Sequence, residues 1–328
     1  MVLPQIRMQP WYPGQMGVQG SDVPRGLRSS SAGIVLYVSG DHPNATTTAD
    51  GTDPENPLST ITAAMARLVT FHAEASIQAE NSVIVVSPGV YTDNIVIANA
   101  TYPEDCTIFA ASSNKFGVIW RPAAGDALTI DQGGWVVDGF HFQPSSTGAG
   151  VKLTWDAGSG GEDAVIQNCF FDGRWGTGLY GIEFEGSPAN VKIQNCRFAE
   201  FDATSPCITV TDTSTACPFQ THILGCTFQE CAEYITSVAG GWNASIIAGN
   251  HFVVATADLA ATTTYIDMGT AALGCNQVVG NYLDGDYSNT GGYTAGSATT
   301  DNWVGNFAFD VAEAEVGDNG ITIAVPAA

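Results

Sequence analysis

The most regular feature of the chain is a six-residue pattern in its second half. It runs apolar, variable, small, cysteine or asparagine, variable, aromatic, and its copies recur at the intervals of ~20–50 residues that are typical of repeat architectures. A second short segment of alternating apolar and polar residues lies between copies, for example at residues 128–130, 151–153, 182–184, 208–210 and 265–268. Alternation over so few residues predicts short strands. The copies begin at Val137, Ile166, Ile193, Ile223, Ile247, Val278 and Trp303.

This repetition predicts an all-β fold, a single-stranded right-handed parallel β-helix or solenoid. Each repeat supplies two or three short strands joined by turns of Gly, Asn, Asp, Ser and Thr, and no helical periodicity interrupts them. A leucine-rich repeat is excluded because its consensus leucines are missing, and a β-sandwich does not repeat one hexapeptide in register. Successive coils of a β-helix stack about 4.8 Å apart, so equivalent residues form columns.

Two of these columns face the expected interior. The aromatic position predicts a stack of Phe142, Phe171, Phe198, Phe228 and Phe252. The cysteine or asparagine position predicts a ladder of Cys169, Cys196 and Cys226 that continues as Asn250, Asn281 and Asn306. Buried asparagines can hydrogen-bond the backbone and one another, and a buried cysteine acts as a small apolar residue. Three thiols in one file cannot all pair, which favours folding in a reducing cytoplasm.

The remainder of the chain predicts a cap and two terminal segments. Residues 34–100 read as the N-terminal cap of the β-helix, with a strand at 34–38 and one helix starting after Ser59 or Thr60. Ile61, Ala64, Met65 and Leu68 share one face of that capping helix, which would cover the open end of the coil. Residues 101–310 form the rungs. Residues 1–33 are expected to form an extended N-terminal arm and residues 311–328 a C-terminal tail.

The cap and the rungs carry a family resemblance. The stretches YVSGD, GTDPENPLSTITAAM and VIVVSPGVYTDNIVI, followed by the Ile-x-Asn-Cys and Gly-Asn-x-Phe rungs, resemble the pectate-lyase-like right-handed β-helix superfamily over residues 34–310. The resemblance implies the fold more strongly than an activity, because the superfamily includes lyases, hydrolases, phage tailspikes and non-enzymatic virion proteins. Of these, the bacteriophage virion-protein type fits the chain best.

Composition and charge limit the kinds of partner that the chain is expected to bind. The 328 residues carry a formal charge of -23, which disfavours nucleic-acid binding, and no apolar run is long enough for a membrane span. The start of the chain also lacks the pattern of a secretory signal peptide. Residues 1–33 hold three arginines and one aspartate, a charge of +2, which leaves 7 basic and 32 acidic residues, or −25, for the body. We expect the arm to anchor the protein to another chain rather than to fold over its own body, through Arg7, Trp11, Tyr12, Arg25 and Arg28.

The sequence contains no complete catalytic motif, so no catalytic site is predicted. Glu183 and Glu185 alternate outward around Phe184, and Asp172 precedes them with Trp175 nearby, so these acids form a weak alternative for glycoside cleavage. The resemblance would imply clustered aspartates with an arginine base, or Asp-Asp, Gly-His-Gly and Arg-x-Lys motifs, and the chain has none of these. We therefore expect the acids to be ordinary solvated residues, and we predict no cofactor and no metal site. One loop contains three aspartates that could hold calcium, namely Asp41, Asp50 and Asp53. A polar loop without a metal ion is the simpler interpretation.

An outward column of the repeat is less acidic than the rest of the exterior. Its members Phe170, Arg197, Tyr282 and Phe307 suggest a contact with another subunit, and loops packing over them are an equally good interpretation. β-Helix appendages are often trimers, so a homotrimer is expected by analogy.

The function expected from these features is that of a non-enzymatic bacteriophage virion structural protein. A capsid decoration or cement protein, or another appendage, would be assembled in the host cytoplasm. It would be held by its arm to the major capsid protein or another virion protein. The alternatives are a tailspike-type polysaccharide depolymerase using Glu183, Glu185 or Asp172, and a glycan-binding adhesin that does not cleave.

Overall fold

Three long sheets of short strands make up the molecule. A computed structural model describes residues 33–74, 79–114, 116–156, 159–175, 178–201, 205–212, 217–231, 233–237, 241–253, 264–269, 274–284, 293–294, 301–309 and 321–322. Apart from two short antiparallel strands, the strands pair in parallel with their counterparts in the neighbouring coils. The chain winds as a right-handed parallel β-helix, so the fold class predicted from the repeat is confirmed.

Sheet A has ten strands and contains the first half of each six-residue pattern. They are β1 (Val35–Val38), β2 (Val83–Val86), β5 (Thr107–Ala110), β8 (Val136–Asp138), β12 (Val165–Gln167), β15 (Lys192–Gln194), β18 (His222–Leu224), β21 (Ile246–Ala248), β24 (Gln277–Val279) and β27 (Asn302–Val304).

Sheet B contains the second half of each pattern. Its strands are β3 (Gly89–Tyr91), β6 (Val118–Trp120), β9 (His141–Phe142), β13 (Phe170–Asp172), β16 (Arg197–Ala199), β19 (Thr227–Gln229), β22 (His251–Val253), β25 (Tyr282–Asp284), β28 (Phe307–Phe309) and β29 (Ile321–Thr322). The last of these runs antiparallel to β28.

Sheet C contains the segments predicted between the copies. Its strands are β4 (Ile95–Ala98), β7 (Leu128–Asp131), β10 (Ala149–Asp156), β14 (Tyr180–Glu185), β17 (Ile208–Val210), β20 (Glu233–Ser237), β23 (Thr264–Asp267) and β26 (Tyr293–Thr294), with β11 (Ser159–Gly160) antiparallel to β10. A 3₁₀ turn at Gly173–Trp175 connects sheet B to sheet C in one coil.

The predicted capping helix is α1 (Ile61–Ala73), and it packs against β1. Thr60 is its N-cap, because the Thr60 hydroxyl accepts a hydrogen bond of 3.1 Å from the backbone N–H of Ala63. The apolar face of the helix is buried, as predicted, and it also includes Phe71. In the part of the chain that the structure describes, no helix has the length and apolarity needed to cross a bilayer.

The phenylalanine stack is confirmed. Phe142, Phe171, Phe198, Phe228 and Phe252 lie in register, with neighbouring ring centroids 4.7–5.0 Å apart and interplanar angles of 5–10°. Sheet C provides space for these rings through glycine. A Cβ on Gly181 would lie 2.9 Å from Phe198 Cδ1 and 2.5 Å from the Cys207 carbonyl oxygen. The stack therefore depends on the absence of a side chain on the opposite sheet.

The ladder of cysteines and asparagines is also confirmed, and every member is buried. Asn281 shows the bonding: its Nδ2 donates to Asn306 Oδ1 (2.9 Å) and to the Ile247 carbonyl (2.9 Å), and its Oδ1 accepts from the side-chain and backbone nitrogens of Asn250. None of the eight cysteines, all of which lie in described residues, forms a disulfide. Burial raises the pKa of the Cys196 thiol well above its ordinary value, with Cys169 and Cys226 as neighbours.

The small residue of the pattern has a conformational cause. It forms the bend between sheets A and B in the left-handed region, with φ from 55° to 82°. Glycine has no Cβ to clash there, and asparagine is the side chain that tolerates the region best. The backbone N–H of each bend residue from 139 to 280 donates to the next coil. The bend residues are Gly139, Asn168, Asn195, Gly225, Gly249, Gly280 and Gly305.

Candidate functional site

The two glutamates predicted to face outward share one lysine on sheet C. Glu183 and Glu185 flank the buried Phe184 on β14, and Lys152 lies opposite Glu183 on β10. Lys152 Nζ lies 2.7 Å from Glu185 Oε2 and 3.7 Å from Glu183 Oε2, so both carboxylates contact the same ammonium group. The pair therefore has the proximity that the sequence predicted, and a cation lies between its members.

The two carboxylates have different surroundings. Glu183 is buried, its Oε1 accepts a hydrogen bond of 2.7 Å from the Thr211 hydroxyl, and Glu185 is exposed. Burial raises the pKa of Glu183 above its ordinary value, although the Thr211 hydroxyl and Lys152 oppose the shift. Burial would lower the pKa of Lys152, but the bond to Glu185 and the charge of Glu183 outweigh it and raise that pKa. Burial therefore makes Glu183 easier to protonate than an ordinary exposed glutamate.

Asp172 lies in a separate cluster, on the outer face of sheet B. Its carboxylate receives two hydrogen bonds from the Arg174 guanidinium, at 3.0 and 3.1 Å, and His141 Nε2 lies 3.5 Å away. Burial opposes ionisation, but the bonds from His141 and Arg174 prevail and hold the pKa of Asp172 well below its usual range. Arg174 also contacts Glu200 at 3.2 Å. Asp172 is therefore ionised and held in place, on a different sheet from Glu183.

Two polar atoms beside Asp172 are buried without a hydrogen-bond partner among the described residues. They are His141 Nδ1 and Gln143 Oε1. The Gln143 amide nitrogen lies 3.4 Å from His141 Nε2, so the amide and the ring contact each other through their other polar atoms. Unpartnered buried atoms of this kind are commonly satisfied by an ordered water.

The outward column on sheet B is in the predicted register, but its first members are covered. Phe170 is only 2% exposed, because the ring of Phe116 packs edge-on against it at 5.3 Å and against His141 at 5.4 Å. The Arg197 guanidinium lies 5.2 Å from the Phe170 ring centroid and donates to Gln229. Phe170 is therefore covered by a side chain of the same chain, an arrangement that fits the interpretation of loops packing over the column at this position.

The C-terminal end of that column is less covered. Tyr282 is partly buried and packs edge-on against the exposed His251, with ring centroids 4.6 Å apart. Phe307 is in register with Tyr282, and its side chain lies outside the described residues. A subunit contact through Arg197, Tyr282 and Phe307 remains a prediction.

The aspartates considered for calcium form turns. Asp50 accepts bonds from the backbone and the hydroxyl of Thr52, and Asp53 accepts from the backbone of Glu55 and the amide of Asn56. Across the described ranges, no group of three or more His, Cys, Asp or Glu side chains is placed to hold a metal ion. Other predicted site residues lie outside the described part of the chain: the side chain of Trp175, and Arg7, Trp11, Tyr12, Arg25 and Arg28 of the arm.

Sequence reasoning missed the partners of these acids. Lys152 precedes Glu183 by close to one coil of chain, and His141 precedes Asp172 by the same interval. The repeat spacing would have placed both pairs on neighbouring strands of one sheet, had it been applied to the polar columns as well as the interior ones.

Searches with protein-family models and with curated sequences returned no match for this chain. Three solved structures similar to it are a rhamnogalacturonan lyase (10% identity, 83% of this chain, 62% of the other, TM-score 0.49), a pectin methylesterase from carrot (12%, 87%, 86%, 0.44) and the Dettilon tailspike protein (16%, 84%, 62%, 0.45). The chain spans about 62% of the lyase and of the tailspike. At these identities the likeness concerns the fold alone.

Proposed function

We propose that the chain is a non-enzymatic structural protein of a bacteriophage virion, such as a capsid decoration protein or another appendage. One observation carries this proposal: the acids best placed for chemistry are already bound to cations of the same chain. Lys152 lies between Glu183 and Glu185, and Arg174 holds Asp172 with two hydrogen bonds. A general acid or base must be able to exchange its proton with a substrate, and a carboxylate held in this way is poorly suited to that.

The interior supports a structural role as well. Ten stacked strands of sheet A span about 43 Å at a spacing of about 4.8 Å. Aromatic and hydrogen-bonded columns run continuously inside this length, so the body has the order expected of a stiff rod. Its strongly acidic surface would keep assembled copies soluble and would repel released nucleic acid.

Attachment is proposed to occur through residues 1–33. The arm carries a charge of +2 and the body −25, and the arm contains aromatic and arginine residues of the kind enriched at protein interfaces. The partner would be the major capsid protein or another virion protein, and the assembled form a homotrimer located on the virion. The arm would thus attach the protein to the virion, and the exterior acids would keep the assembled body soluble.

Particle occupancy tests this proposal. Purified phage particles would be compared for the bound amount of the full chain, of a variant with Arg7, Trp11, Tyr12, Arg25 and Arg28 changed to alanine, and of a Glu183→Gln control. We expect full occupancy for the wild type and the control, and strongly reduced occupancy for the arm variant. Full occupancy of the arm variant would contradict the role of the arm, and absence of the wild type from particles would contradict the virion assignment.

A polysaccharide depolymerase is the second candidate, favoured by the unequal environments of Glu183 and Glu185. The raised pKa of Glu183 suits a general acid, and the contact of both carboxylates with one ammonium group places two acids side by side, as a retaining glycosidase requires. A reducing-sugar assay on host surface polysaccharide would compare the wild type with Glu183→Gln. Activity that this substitution abolishes would favour the enzyme over the structural protein.

A further inference from the structure

A cleft of about 590 Å³ lies on the outer face of sheet A, on a different sheet from both clusters of acids. Its volume falls within the ~300–1,000 Å³ typical of small-molecule sites. Sequence reasoning did not single out any residue of this cleft. The lining residues are Asp163, Asn190, Lys192, Gln220, His222, Ala244 and Ile246.

Two columns of the β-helix form the walls of the cleft. Asp163, Asn190 and Gln220 occupy equivalent left-handed positions before successive strands of sheet A, with φ of 54–58°. Each of their backbone N–H groups donates to the next coil, so the column is held at the coil spacing. Lys192 and His222 form the second column and are paired in register on β15 and β18. The cleft therefore presents polar groups repeated every ~4.8 Å along the axis of the rod.

The polar groups in this cleft are not used by the fold. Among the described residues, the side chains of Asn190, Gln220 and Lys192 are exposed and that of His222 is half-buried, and none of them forms a hydrogen bond or ion pair within the protein. Asp163 is also exposed and is not within ion-pair distance of Lys192. Lys192 is unusual in this respect, because each of the other described lysines and arginines contacts an acid, an amide, an aromatic ring or another group. Those are Arg67, Arg121, Lys152, Arg174 and Arg197.

We propose that this cleft binds a short acidic glycan. The carboxylate of one sugar would pair with Lys192, with His222 beside it, and the hydroxyls of that sugar and its neighbours would bond the amides of Asn190 and Gln220. Amide side chains both donate to and accept from hydroxyl groups, and their regular spacing suits an extended saccharide lying along the rod. The assignment does not depend on the virion role, to which it would add recognition of a carbohydrate surface.

The charge of the body restricts the ligand to a short one. A long polyanion would be repelled by an acidic surface, whereas a single carboxylate at Lys192 interacts mainly within a Debye length of about 8–10 Å. The open and polar lining also disfavours an apolar ligand, which would require an enclosed apolar pocket.

Calorimetric titration of the full chain tests the proposal. The probes are a tetrasaccharide of alternating glucuronate and N-acetylglucosamine, its carboxyl methyl ester, and inorganic phosphate. The variants are Lys192→Gln, Lys192→Arg, Asn190→Gly and Gln277→Ala. Glycine keeps the left-handed backbone of residue 190 while removing its amide, and Gln277 is an exposed control on the same face, beyond the cleft lining.

We expect the acid tetrasaccharide to bind, and methyl esterification or Lys192→Gln to weaken it about tenfold or more, since each removes a charge-assisted hydrogen bond. Lys192→Arg should retain most of the affinity, Asn190→Gly should lose part of it, and Gln277→Ala should match the wild type. Equal binding of acid and ester, unchanged binding by Lys192→Gln, or no binding by the wild type would overturn the proposal. Binding of phosphate as tight as that of the tetrasaccharide would also overturn it, by indicating a general anion site.

Discussion

The ring of Phe198 lies 4.8 Å from the ring of Phe171, and the two planes differ by 6°. One full coil of chain separates them, and the intervening residues leave sheet B, cross sheets C and A, and return in register. The contact therefore measures how accurately one coil repeats the previous one. The stability of the fold should therefore depend on the residues that keep the coils in this register and on those that hold the charges on their outer faces.

The bend between sheets A and B should accept asparagine but not a β-branched residue. Gly249 has a φ of 63°, and a Cβ there would meet no atom within 4 Å, so backbone conformation alone sets the cost. We expect Gly249→Asn to change the free energy of unfolding by less than about 1 kcal/mol, because Asn168 and Asn195 occupy the same position, and Gly249→Val to cost about 1–2 kcal/mol or more. Denaturant unfolding of both variants measures this, and equal losses would contradict the conformational explanation.

The asparagine ladder should be most sensitive at its centre. Asn281→Leu keeps the approximate size of the side chain but leaves the backbone N–H of Asn250 without its acceptor. We expect a loss of about 2–3 kcal/mol in the free energy of unfolding, compared with less than about 0.5 kcal/mol for Asn302→Ala at an exposed position on β27. Thermal or denaturant unfolding of the two variants measures this difference. Similar small losses in both would indicate that the ladder asparagines only fill space and that their hydrogen bonds contribute little.

Asp172 should make the free energy of unfolding depend on pH in the acidic range. Its pKa is lowered in the folded protein, so as pH falls the unfolded chain takes up this proton first, near its ordinary pKa of about 3.9. The stabilisation is therefore present above that pH and is lost as pH falls through the folded value. Asp172→Asn should be less stable than the wild type at pH 7, by about 1–3 kcal/mol, and the difference should begin to narrow as pH falls below about 4. A constant difference at all pH values would contradict this assignment.

Lys152 should stabilise the folded protein because its ammonium group contacts two carboxylates. Lys152→Met leaves the buried Glu183 without a cation, and we expect a loss of about 1–2 kcal/mol at pH 7. The raised pKa of Glu183 means that this loss should shrink as pH falls toward 4 and the carboxyl becomes neutral. A double-mutant cycle with Glu183→Gln provides the control, since that variant should tolerate Lys152→Met with little further loss.

Thiol reactivity should separate one cysteine from the rest. Cys275 is exposed and the other seven are buried, with burial raising the pKa of Cys106 to about 12. A low thiolate fraction and poor access both slow the reaction with a disulfide reagent. The native reduced protein should therefore release about one equivalent quickly and the remainder only on unfolding, and Cys275→Ser should abolish the fast phase. Several fast equivalents would show that the coil opens readily.

The interior could be predicted from the sequence because it repeats. Phenylalanines recur once per coil in the sequence, so the column of Phe171, Phe198 and Phe228 could be predicted from their spacing. The Gly or Asn that precedes each buried Cys or Asn likewise indicated a left-handed bend. The exterior could not be predicted in the same way. The covering of Phe170 by Phe116 and the cleft beside Lys192 depend on turns whose lengths vary between coils.

The antiparallel pairing of β29 with β28 has a consequence for self-association. Ile321 and Thr322 bond the outermost coil on sheet B in the direction opposite to every other neighbour in that sheet. A second molecule that approached this edge would meet a strand of the wrong polarity instead of a template for one more parallel turn. The reversal thus covers the last described parallel strand of sheet B, so that this strand offers no free edge for a further parallel coil.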